Sequence, residues 1–109
     1  MPKKWKAPTV PEVQHSIRFS LEQWRHLHKK GGTDPFYSDG SNMNIVREQI
    51  IHAQVHLREL CKTEKVRRCP IEARLKPPKL VSRDYCAPRS KSGKCRELRA
   101  AAKKSRRAR

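Results

Sequence analysis

The sequence predicts an all-α protein: a small hairpin of two amphipathic helices, then a long basic arm, largely irregular, that ends in a helix. Three observations carry that prediction. Apolar residues recur at helical spacing in two stretches of the first half. A Gly-Gly pair separates those stretches, and the positive charge is concentrated in the second half. The expected organisation is a basic N-terminal arm over residues 1–10, a helical hairpin domain over 11–64, and a Pro- and Cys-containing basic tail over 65–109.

The first helix is expected over residues 11–30. Thr9 stands as its N-cap with Glu12 three residues on, a capping-box spacing, and Pro11 suits the first turn. Val13, Ile17, Leu21, Trp24 and Leu27 or His28 then form one stripe. Lys29 and Lys30 complement the negative end of the helix dipole, and Gly31 and Gly32 stop the helix. The second helix is expected from 43 to 64, about 30 Å long, with Ser41, Asn42 and Asn44 as competent caps. Its stripe is Val46, Ile50, Ala53, Leu57 and Leu60 or Cys61, with Met43 and Ile45 at the start. Two such stripes bury each other only marginally, so a third element or a second copy of the chain is expected to complete the core.

Beyond residue 64 the periodicity dissolves. Pro70, Pro77, Pro78 and Pro88 interrupt it, and "LKPPKLVS" reads as extended chain. Leu75, Leu80, Val81 and Tyr85 are apolar enough to wrap back on the hairpin. A last helix is predicted from Lys94 to about Ser105 with Ser92 as cap, helped by three consecutive alanines. Its faces carry almost nothing to bury, so it is expected to be disordered alone and helical on a polyanion.

Charge sets the partner class. The 109 residues hold 27 Lys and Arg against 10 Asp and Glu, a net charge of +17. Residues 1–62 carry a net +4 and residues 63–109 a net +13. Such an excess binds polyanions through counterion release, with strong salt dependence and little sequence preference. Nucleic acid, DNA or RNA, is the expected partner, gripped by Arg96, Arg99, Lys103, Lys104, Arg106, Arg107 and Arg109. That stretch lacks aromatics and side-chain amides, which favours phosphate contact over base reading. The N-terminal "PKKWK" reads first as a frayed, solvated terminus, and second as a nucleic-acid-contacting arm with Trp5 free to stack on a base. No apolar run is long enough to span a bilayer, and no secretory signal follows the basic N-terminus, so a cytoplasmic protein without a membrane partner is expected.

Catalysis has little support, and the chain is expected not to be an enzyme. No cysteine lies in a recognisable nucleophile context. The carboxylates nearest in sequence, Asp34, Asp39, Glu48 and Glu59, are too scattered for a metal nuclease. Cys61, Cys69, Cys86 and Cys95 lack the close pairing of a structural zinc site. The best metal set is His52, His56 and Cys61, with Cys69 or Cys86 completing it. Against it stands the simpler reading of histidines on a solvated face and reduced, space-filling thiols, stable disulfides being improbable in a reducing cytosol. No cofactor is expected.

The loop "GGTDPFYSDGSNMN" fails the tests for two known sites. Aligned on Gly40, a calcium loop would need ligands at Pro35 and Tyr37 and a glutamate at Val46. A phosphate loop would need more glycines and a preceding strand. Turn chemistry remains: Asp34-Pro35, then Asp39-Gly40, then a helix cap. Phe36 is expected to plug the helix ends, and the exposed part of Phe36, Tyr37 and Asp39 to supply any partner contact.

The segment "GGTDPFYSDGSNMNIVREQI", residues 31–50, resembles a pattern in short proteins of bacteriophages and related mobile elements. The pattern is a Gly-rich helix end, Asp-Pro-aromatic, Asp-Gly, Asn-x-Asn, then a helix opening on an apolar pair and Arg. The resemblance implies a phage accessory protein, including one that docks on and inhibits a host nucleoprotein complex such as a nuclease or defence system, in the host cytoplasm or nucleoid. It implies no activity and assigns no functional residue.

Overall fold

The computed structural model describes residues 8–107, with side chains through residue 104. The first seven residues, including Trp5, and the side chains of Arg106, Arg107 and Arg109 lie outside that description. Among the described residues the protein is all-helical: α1 spans Val10–Lys29, α2 spans Asp39–Thr63, a 3₁₀ turn spans Ile71–Ala73, and α3 spans Gly93–Arg107. The two long helices pack together as a hairpin.

α1 begins and ends as its sequence dictates. The Thr9 hydroxyl accepts from the Glu12 N–H at 3.4 Å, and Gly31 adopts the left-handed φ of 76° that glycine tolerates best. α2 starts four residues earlier than expected. Ser38, not Ser41, Asn42 or Asn44, is its cap, with its hydroxyl accepting from the Ser41 N–H at 3.3 Å. Asp39 and Gly40, expected to form a turn, are the first two helical residues.

The core joins Val13, Ile17 and Leu27 of α1 to Met43, Val46, Ile50, Leu57 and Cys61 of α2, with Ala73 from the 3₁₀ turn. Ile17, Met43, Ile50 and Leu57 are wholly buried. Each such side chain contributes about 1.5–3 kcal/mol by leaving water. Ile45, expected at the head of the stripe, is instead exposed. The stripe also contains a polar member, Gln54, whose amide donates to the carbonyls of Glu72 at 3.1 Å and Leu75 at 2.6 Å.

The third element that two stripes require comes from the irregular segment after α2. Cys69, Val81 and Tyr85 pack on the hairpin core, whereas Leu80 remains exposed. Side chains of α2 hold this segment by its backbone. Asn44 exchanges two hydrogen bonds with Val81, at 2.9 and 3.0 Å, and Arg47 Nε donates to the Pro78 carbonyl at 2.7 Å. Tyr85 closes a stack: Trp24 and His28 lie 5.4 Å apart and His28 and Tyr85 5.5 Å apart, all nearly parallel. A chain rich in proline cannot form a ladder or a long helix, so its backbone groups are satisfied by side chains instead. The segment is thereby held against the hairpin.

Glu72 is the buried charge of this packing. Its carboxylate accepts from Arg18 Nε at 2.7 Å and Gln14 Nε2 at 3.0 Å, both from α1. Burial pushes its carboxyl up, but its own backbone N–H, Arg18 and Gln14 outweigh that and hold it below the usual range. A group depressed in the folded state stabilises above its unfolded value and loses that contribution as pH falls through its folded value. Glu72→Gln is therefore expected to flatten the loss of stability below about pH 4, as read from urea midpoints between neutral and acid pH. An acid limb of wild-type steepness would exclude this role.

Candidate nucleic-acid interface

The basic C-terminal helix is anchored to the hairpin loop through a buried polar knot. Asp39, in the first turn of α2, is fully buried. Its carboxylate accepts from the N–H groups of Gly32 at 2.9 Å and Ala87 at 2.8 Å, and from the Ser90 hydroxyl at 2.9 Å. Three segments of the chain thus meet on one carboxylate, which also suits the positive end of α2. The expectation that Asp39 touches a partner is corrected: its side chain has no exposed surface.

Ser92 performs the next link. It caps α3, its hydroxyl lying 3.4 Å from the Cys95 N–H, and the same hydroxyl lies 2.8 Å from the Asp34 carbonyl and 2.7 Å from that of Tyr37. The Gly93 N–H also donates to the Asp34 carbonyl, at 3.1 Å. Asp34 in turn accepts from the N–H groups of Phe36 and Tyr37 at 2.8 and 3.2 Å. The Phe36 N–H chiefly, with Asn42 and the Tyr37 N–H, lowers its carboxyl below the usual range against a smaller opposing effect of burial. This side-chain turn holds the loop backbone with its aromatics outward. Phe36 is 79% exposed and Tyr37 52%, so Phe36 is no plug; Asp39 does the joining that the plug was expected to do.

The cysteines also depart from expectation. Cys61 pairs with Cys69 and Cys86 with Cys95, as disulfides with Cα atoms 5.7 and 5.8 Å apart. None is a free thiol. Reducing surroundings disfavour disulfides, but the distance between cysteines is a property of the fold, which brings each pair within bonding range. Cys61 and Cys69, half of the metal set, are thus bonded to each other, and His52 and His56 join them in no ligand cluster among the described residues. The ligand atoms that do converge are those of Asp39, Cys86 and Cys95. There the sulfurs are bonded to one another and both carboxylate oxygens are occupied by hydrogen bonds.

From this knot α3 carries its cations outward. Arg96, Lys103 and Lys104 are exposed, and Lys94 pairs loosely with Glu97 at 3.9 Å. Arg99 is different: its guanidinium donates to the carbonyls of Ala87 and Ser90, clamping the loop that precedes the helix. Helical spacing puts Arg96, Arg99 and Lys103 on one face. Cations near the helix C-terminus also stabilise the helix itself, so the segment expected to be disordered alone is a helix here.

A second concentration of positive charge lies elsewhere. The chain turns sharply after α2, with Lys65 at a left-handed φ of 52°. The disulfide from Cys61 to Cys69 closes that turn just before the 3₁₀ segment. The result is a cleft of about 980 Å³ with Arg58, Lys62, Lys65, Arg67, Arg68 and Arg74 on its walls. Sequence reasoning overlooked it because these cations are spread over seventeen residues of modest local charge. The clue was "KTEKVRRC", a basic run bounded by a cysteine.

No family pattern, curated protein or solved structure matches this chain.

Proposed function

We propose that the protein binds the phosphate backbone of a nucleic acid, with α3 as the gripping element and without catalysis. The observation that carries this reading is the cationic surface of α3: Arg96, Lys103 and Lys104 are solvent-exposed, Arg106, Arg107 and Arg109 follow, and Glu97 is the helix's single acid. Arg99 supports the helix from beneath rather than reaching for phosphate. Truncation is a poor test, since removing residues 90–109 would also remove Ser90, Ser92 and Cys95 from the anchoring knot. Lys103, Lys104, Arg106 and Arg107, replaced together by Gln, leave the knot untouched. Each lost phosphate contact lowers the slope of log K against log salt by about 0.9 on duplex DNA, so the slope should fall by about 3–4. Unchanged affinity and slope would refute the gripping role of α3.

A second reading is favoured by the exposure of Phe36 and Tyr37 beside the helix anchor. Neighbouring exposed aromatics are typical anchors of protein contacts, which suits an accessory protein that docks on and inhibits a host nucleoprotein complex. Capture from nuclease-treated lysate distinguishes the two. A protein retained by the wild type and lost on Phe36→Ala with Tyr37→Ala supports docking; loss of every partner after nuclease supports nucleic-acid binding alone.

A further inference from the structure

The cleft behind the Cys61–Cys69 bridge has the features of a second anion site. Six cationic side chains line its walls, and no carboxylate does. None of the six takes part in an ion pair among the described residues. The acids near them in sequence are directed elsewhere: Glu72 is committed to Arg18 and Gln14 on α1, and Glu59 and Glu64 are exposed and do not line the cleft. Like charges gathered in a concavity repel one another and raise the local potential, which concentrates a polyanion there. Arg58 is held in place, its Nη1 donating to the Ala73 carbonyl at 3.2 Å. The cleft is not purely polar, for Val66, Ala73 and the two bridged cysteines also line it.

Size narrows the ligand. A volume of about 980 Å³ equals a cube about 10 Å on a side, less than the width of the major groove of B-DNA alone, about 12 Å. A flexible single strand can follow a concavity of this size, whereas a stiff duplex, wider than its own groove, would rest on the rim. A positively charged groove that tracks one backbone is the electrostatic half of single-strand recognition; no aromatic among the described residues lines the cleft, so contact is through phosphates rather than base stacking. The disulfide ties the cleft to the fold: Cys61 belongs to the hairpin core, and its bond to Cys69 joins the far end of the intervening loop to that core.

We infer that this cleft binds single-stranded nucleic acid by its phosphates, as a site separate from α3. The inference rests on the nucleic-acid reading above and adds to it a strand preference and a location. Fluorescence anisotropy on the full chain tests it, using a labelled oligothymidine of about a dozen nucleotides and a labelled duplex, each at several salt concentrations. Three proteins are compared: wild type, the α3 variant described above, and a cleft variant carrying Arg67→Gln, Arg68→Gln and Arg74→Gln. These three side chains are exposed and make no hydrogen bond among the described residues, so the fold should persist, which circular dichroism verifies.

The cleft variant should bind the single strand at least tenfold more weakly, with a slope lower by about 2, since each single-strand phosphate contact accounts for about 0.7. Its duplex affinity should change less than twofold. Wild-type affinity of the cleft variant for the single strand would overturn the site whatever the α3 variant does. Equal losses on both probes would overturn the strand preference and leave only a general effect of charge. Failure of the wild type to bind either probe would overturn the nucleic-acid reading together with the cleft. As a measurement independent of affinity, the oligothymidine should shift the amide resonances of Val66 and Ala73. Shifts confined to α3 would count against the cleft.

Discussion

Asp39→Ala is expected to lower the unfolding free energy by about 3–5 kcal/mol, a large share of the roughly 5–15 kcal/mol of a typical domain. The carboxylate is wholly buried and holds the Gly32 N–H, the Ala87 N–H and the Ser90 hydroxyl. Hydrogen bonds to a charged group are each worth about 1.5–3 kcal/mol, and buried donors left without an acceptor add their desolvation cost. Alanine leaves these donors unsatisfied together. Asp39→Asn should recover part of the loss, because its amide keeps one acceptor oxygen but turns a second donor toward existing donors. Urea denaturation of the three proteins measures the order wild type, Asn, Ala. An alanine variant within 1 kcal/mol of wild type would show that the knot does not hold the C-terminal third in place.

Gly40→Ala makes the second large prediction, because two physical effects give it opposite signs. Gly40 lies in α2, where alanine is normally favoured over glycine by about 1 kcal/mol. Here, however, a methyl group would be driven into the Ser82 carbonyl oxygen and would press on Tyr85 Cβ at 3.0 Å. The close approach is itself bonded, with the Gly40 N–H donating to the Tyr85 carbonyl at 2.9 Å. Backbone cannot give way as a flexible side chain does. Overpacking of this kind costs typically about 1–3 kcal/mol and occasionally more, so against the gain in propensity a net destabilisation of up to about 2 kcal/mol is expected. The fluorescence of Trp24, which shares a stack with His28 and Tyr85, should report the displaced segment as well as the stability. A stabilised variant with unchanged emission would mean that helix propensity had won and that the contact with Ser82 is slack.

The two helices were legible in the sequence because their signals are local. Val13, Ile17 and Leu27 are buried at the spacing that identified α1, and the Thr9 and Gly31 signals lie at its ends. The start of α2 was misplaced for a reason of the same kind. Ser38, Ser41, Asn42 and Asn44 are all chemically competent caps, and local chemistry does not rank them. The Ser38 hydroxyl also donates to the Arg83 carbonyl, forty-five residues away, an interaction that no window of sequence contains. Gln54 escaped notice similarly: a glutamine in an apolar stripe looks like an interruption until the carbonyls of Glu72 and Leu75 are found beside it.

For the interface, composition located the charge of α3 but not the division of labour within it. Arg99 and Lys103 look alike in sequence, yet one clamps the loop carbonyls and the other faces solvent. By itself the sequence determined the helical hairpin and the concentration of positive charge in the second half, because periodicity, capping and charge are properties of neighbouring residues. Only the tertiary structure decided that Asp39 is a buried tie rather than a contact, that the cysteines pair, and that six scattered cations form a cleft. Each of those outcomes depends on where distant residues meet, and that is settled by the packing of the proline-rich segment against the hairpin.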